Sequence, residues 1–80
     1  MKYKQYSVVK IVKIKKQICK EDLLVGSEVP RVGDLAAIIE VYEQSTLGYE
    51  LECESEDGTT NWMLTFSPEE VELELISEHT

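Results

Sequence analysis

Eighty residues, 42% of them hydrophobic, make one small domain spanning 1–80 and exclude both a two-domain chain and a disordered one. Eight Lys and Arg against sixteen Asp and Glu give a formal charge of −8, which excludes an overall basic nucleic-acid-binding surface. The charge falls in two blocks: seven Lys and no acid in residues 1–20, one Arg and all sixteen acids in residues 21–80.

In the basic block, Val8, Val9, Ile11, Val12 and Ile14 are β-branched, which disfavours a helix and predicts a first strand over residues 6–15. Lys10 interrupts one face, so a bulge or an overhanging strand is expected there. Residues 16–33 carry Gly26, Pro30 and Gly33 and read as an ordered loop with a short helical turn around residues 21–25. Arg31 to Asp34 reads as a turn into a second strand, Leu35–Tyr42, which opens as a continuous apolar run and ends alternating. Its small Ala36 and Ala37 predict that something packs closely over that part of the strand.

Asp57-Gly58 is a two-residue turn signal between alternating segments and predicts a hairpin of the third and fourth strands. With that dipeptide at the turn, Cys53 faces Trp62, Leu51 faces Leu64 and Tyr49 faces Phe66, all inward. On the other face Glu54 meets Asn61, Glu52 meets Met63 and Glu50 meets Thr65. A slip of one residue would turn the three glutamates inward at a cost of several kcal/mol, so the register is strongly specified. Ser67-Pro68-Glu69-Glu70 carries a helix-start signature, with Ser67 as cap and Glu70 placed to close a capping box. Val71, Leu73 and Leu75 then alternate with Glu72 and Glu74, so a single helical turn leads into a fifth strand. Residues 77–80 are expected to fray.

These elements describe an all-β fold, a small five-stranded SH3-like barrel with one short helical turn before the last strand. Residues 32–42 (V-G-D-L-A-A-I-I-E-V-Y), Tyr49-Glu50-Leu51-Glu52-Cys53, Glu56-Asp57-Gly58-Thr59-Thr60 and the closing residues 64–71 resemble a family of uncharacterised bacterial single-domain proteins. That family is known only as a domain of unknown function, with G-D-x-G-T-V-V-E-V-Y followed by Y-E-V-E-F-x-D-x-D-G-x-T. Ala36 stands where the pattern has glycine, and translation-related SH3-like domains share a similar G-D-x-G-x-V entry. The resemblance implies the barrel and carries no catalytic residues; some relatives resemble components of toxin–antitoxin or immunity pairs.

The residues themselves point away from chemistry. Cys19 and Cys53 with the sole histidine, His79, cannot assemble a four-ligand zinc site, and two cysteines in such a chain read as reduced thiols. No Walker or dinucleotide spacing of glycines occurs, and His79 is next to the last residue in a tail expected to fray, which argues against a Ser-His-Asp arrangement. No enzyme activity, metal or cofactor is expected. No apolar run is long enough for a signal-peptide core or a membrane span, so the expected location is the cytoplasm. Trp62 points inward in the hairpin register and reads as core.

The surface is more informative. Glu50, Glu52 and Glu54 form a ladder of carboxylates at every second residue, and Glu72 and Glu74 form another, either a solvated face or a docking surface for a basic partner. Met63 and Tyr42 face outward beside these glutamates and complete the candidate partner-binding set. The leading expectation is a non-catalytic protein-binding module, an acidic immunity protein or antitoxin that neutralises a basic toxin such as a nuclease by direct binding. The alternative is an SH3-like accessory domain contacting RNA or a ribonucleoprotein through the lysines of residues 2–20. A third expectation is a homo-oligomer joined through edge strands.

Overall fold

The computed structural model describes residues 3–79. Six strands, β1 (Val8–Ile14), β2 (Val25–Gly26), β3 (Leu35–Tyr42), β4 (Gly48–Glu54), β5 (Thr60–Phe66) and β6 (Val71–Ser77), form one antiparallel sheet in the order β2-β5-β4-β3-β1-β6. The sheet is open in its hydrogen bonding, with β2 and β6 as its edges, so the pairing gives neither five strands nor a closed ring.

The sixth strand is β2, inside the segment expected to be loop. Gly26 sits at φ +102, and a Cβ there would collide with the Asn61 carbonyl oxygen. Only glycine allows that approach. The result is a close pairing in which Leu24 N–H donates to Met63 O (2.8 Å), and Ser27 and Glu28 N–H both donate to Asn61 O (3.1 Å). Among the described residues the one short helical turn lies at Lys20–Asp22, tied by Cys19 N–H donating to Asp22 Oδ2 (2.9 Å), and overlaps the one expected at 21–25.

No helix forms before the last strand. Glu70 N–H donates to Ser67 O (3.0 Å) and Ser67 N–H to Glu70 Oε1 (2.9 Å), and the chain enters β6 at once. Half of the capping signature is therefore realised as a turn, because the alternating pattern from Val71 onward needs extended backbone. The Ser67 N–H, helped by the Lys16 ammonium 3.1 Å away, holds the Glu70 carboxyl below its usual range against partial burial.

Alternation sorts the faces. Val9 and Ile11, Ala36 and Ile38, Tyr49, Leu51 and Cys53, Trp62, Leu64 and Phe66, with Val71, form one buried cluster. Full burial of each larger member contributes about 1.5–3 kcal/mol. Residues of β5 and β6, near opposite edges of the sheet, share this cluster, which requires the sheet to coil. Bulges supply curvature: Val12 in β1, Ile39 in β3, Asn61 in β5 and Ile76 in β6 are each the extra residue at a register shift.

The hairpin pairs Tyr49 with Phe66, Glu50 with Thr65, Leu51 with Leu64, Glu52 with Met63 and Cys53 with Trp62, as the alternation predicts. It departs at the end: Glu54 faces Thr60 rather than Asn61. The turn is also longer than two residues. Ser55 N–H donates to Thr59 O and Gly58 N–H to Ser55 O, with Gly58 at φ +88. Glu56, Asp57 and Gly58 thus make a three-residue loop, the arrangement in which glycine takes the left-handed position.

Both ends are tied down. Tyr3 N–H donates to Tyr49 Oη and its own hydroxyl to Leu73 O, each at 3.0 Å. His79 N–H donates to the buried Ser7 Oγ (3.1 Å), and its ring meets Tyr6 edge-on with centroids 5.5 Å apart. The fraying expected from residue 77 is therefore not seen through residue 79; Thr80 lies outside the described residues, as does Lys2 of the lysine block.

A candidate docking face on β4

The outward face of β4 presents Glu50 and Glu52, half-buried, and Glu54, exposed. No ion pair reaches any of the three among the described residues. Glu52 is held by Thr60, whose hydroxyl donates to Oε2 at 2.6 Å. Glu50 accepts from the Tyr42 hydroxyl at 2.6 Å. That hydrogen bond, with the nearby charges of Glu50 and Glu40, pushes the Tyr42 phenol above its ordinary value. Met63 lies half-buried opposite Glu52, with Val25 of β2 on its other side. Glu50, Glu52, Glu54, Tyr42 and Met63 therefore stand together on one face.

Glu72 and Glu74 do not join them. They lie on β6, separated from β4 by β1 and β3, and face Lys13 and Lys10 across the β1–β6 pairing. Lys15 Nζ lies 3.7 Å from Glu72, Lys16 Nζ 3.1 Å from Glu70 and Lys4 Nζ 4.0 Å from Glu78. The lysine block and the second ladder thus meet in space, and each screens the other.

Glu40 belongs to the face, although sequence alternation did not place it there. The bulge at Ile39 shifts the pairing so that Glu40 lies directly across from Glu50. Like charges opposite each other are destabilising, so this part of the sheet concentrates negative charge at some expense in stability. Beside the carboxylates the two alanines differ: Ala36 is buried in the core cluster, as its size suggested, while Ala37, on the outward side, is only half-buried. A hollow of about 210 Å³ opens there, lined by Val8, Leu35, Ala36, Ala37, Glu52 and Glu54.

Elsewhere the chemistry is sparse. Cys53 is buried behind Trp62, and burial pushes its thiol up, while Cys19 is exposed; both are free. Among the described residues no group of three or more His, Cys, Asp and Glu side chains converges as a metal centre requires, and no helix is long and apolar enough to cross a membrane. A scan against protein-family models, a search of curated proteins and a search of solved structures each return no match to this chain.

Proposed function

We propose that the chain is a small SH3-like barrel that acts by binding, and that its β4 face docks a basic protein, an acidic immunity or antitoxin protein masking a cationic toxin being the form this takes. The barrel reading is supported by the strand order β5-β4-β3-β1-β6, with a long loop between β1 and β3 and one core shared by all five strands. The carrying observation for function is the segregation of charge. The β6 glutamates are matched by lysines from residues 4–16, whereas among the described residues no ion pair reaches Glu40, Glu50, Glu52 or Glu54. Such a face raises the encounter rate with a basic surface and orients it. The RNA-binding alternative loses support from the same pairing, because a phosphate backbone approaching β1 meets the glutamates of β6.

The test compares the tagged chain with a variant carrying Glu50→Lys, Glu52→Lys and Glu54→Lys in capture from its own lysate at low and moderate salt. A basic protein held in stoichiometric amount by the parent and lost by the variant, with the loss largest at low salt, is the expected result. Equal retention by both chains removes the β4 face from the reading.

A further inference from the structure

The pairing registers line up one outward row across five strands: Val8 faces Ala37, Ala37 faces Glu52, Glu52 faces Met63, and Met63 faces Val25. Four apolar side chains thus flank one carboxylate. In the neighbouring row Lys10 faces Leu35, and Glu54 follows Glu52 two residues on, about 7 Å along the same face of the strand. Between the two rows lies the hollow of about 210 Å³ over Ala36 and Ala37. Its floor is apolar and its β4 wall carries two carboxylates.

We infer that this hollow seats an arginine side chain of the basic partner, an inference that rests on the docking function proposed above. The methylene stem of an arginine lies along Val8, Leu35 and Ala37, as such stems do on apolar surface while the head group stays wet. The planar guanidinium then reaches the wall, where its fork of donors serves two acceptors at once. Glu52 is preset for this role, since the Thr60 hydroxyl occupies Oε2 and leaves Oε1 to accept. The Glu54 carboxylate has no hydrogen bond or ion pair among the described residues and supplies the second acceptor. A lysine head, a compact point charge, satisfies one carboxylate and leaves the fork geometry unused. The smallness of Ala37 has its explanation here: a larger residue at 37 fills the space the stem needs.

The experiment titrates the methyl-labelled chain with a short peptide alternating Arg and Ser, and with its Lys counterpart of identical charge, at low salt. The Arg peptide is expected to bind several-fold more tightly and to shift the methyl signals of Val8, Leu35 and Ala37. Glu52→Gln, nearly isosteric, should weaken it about tenfold, the loss of one charge-assisted hydrogen bond. Ala37→Leu should abolish the preference for Arg, and Glu54→Gln gives a second measurement should the leucine disturb the sheet. Equal binding of both peptides, indifferent to Ala37→Leu and Glu52→Gln, overturns the arginine seat and leaves the acidic face as a docking surface. Failure of both peptides to bind overturns the seat and the docking face together.

Discussion

Replacing Asp34 with alanine should be among the most damaging single changes outside the apolar core. Trp62 is 1% exposed, and its indole Nε1–H donates to Asp34 Oδ2 at 2.9 Å. The same oxygen accepts from the Arg31 N–H at 3.0 Å, fixing the turn that leads into β3. Asp34→Ala leaves the indole N–H buried without a partner, which costs about 1–3 kcal/mol, and removes the turn hydrogen bond, worth about 1 kcal/mol more. The expected total is about 2–4 kcal/mol. At about 0.05–0.15 kcal/mol per residue, the whole domain has only about 4–12 kcal/mol of stability. Trp62 is the only tryptophan, so its fluorescence follows unfolding in urea without added labels. With a slope near 1 kcal/mol per M, the midpoint should fall by about 2 M or more. Asp34→Asn keeps an acceptor and should lose roughly half as much. A shift below about 0.5 M for the alanine variant would mean that the indole N–H reaches water and that the bond contributes little.

Glycine substitutions separate backbone conformation from crowding. Gly58→Ala, at φ +88 with nothing within 4 Å of the new Cβ, should cost about 1 kcal/mol, whereas Gly26→Ala should cost at least about twice that and release the amides of Leu24, Ser27 and Glu28 to hydrogen exchange. Equal costs in the same urea titration would refute the close approach of β2 to β5. Asp57 provides a pH signature. Hydrogen bonds from Ser55 and Thr59 lower its carboxyl to about 2. A depressed carboxyl stabilises the fold above its unfolded value near 4, and that contribution disappears as pH falls through 2. The thermal midpoint of the parent should therefore exceed that of Asp57→Asn by a steady margin above about pH 5, narrowing toward pH 2. A margin independent of pH would contradict the loop hydrogen bonds.

What the sequence made legible was local. Residues 49–53 and 62–66 alternate so consistently that one register satisfies both faces, and the structure pairs them that way. The Asp57-Gly58 signal located the turn but not its length, because glycine serves a two-residue loop and the left-handed position of a three-residue loop equally well. Val25 and Gly26 gave no strand signal, since two residues carry no periodicity and their pairing depends on what a missing Cβ permits. The acidic face was half legible. Glu50, Glu52 and Glu54 follow from alternation, but Glu40 arrives through a bulge, and bulges leave little trace in composition. Glu72 and Glu74 read the same as the other ladder until the chain brings β1 beside β6, some sixty positions away, and supplies their lysines.

That adjacency of first and last strands governs when the protein can exist. β1 leaves the ribosome well before its outer neighbour, which is not complete until residue 77 has been made. Until then Val9 and Ile11 lack their strand partners Leu75 and Leu73, and Lys10 and Lys13 lack Glu74 and Glu72 across from them. Contacts between distant residues must close before they stabilise anything, so folding is slow for a domain of this size and waits on β6. During synthesis β1 is a cationic, apolar strand with one side unpartnered; the acids of β4 and the loop after it turn the net charge negative, and the arrival of β6 sets Glu72 and Glu74 beside the lysines of β1.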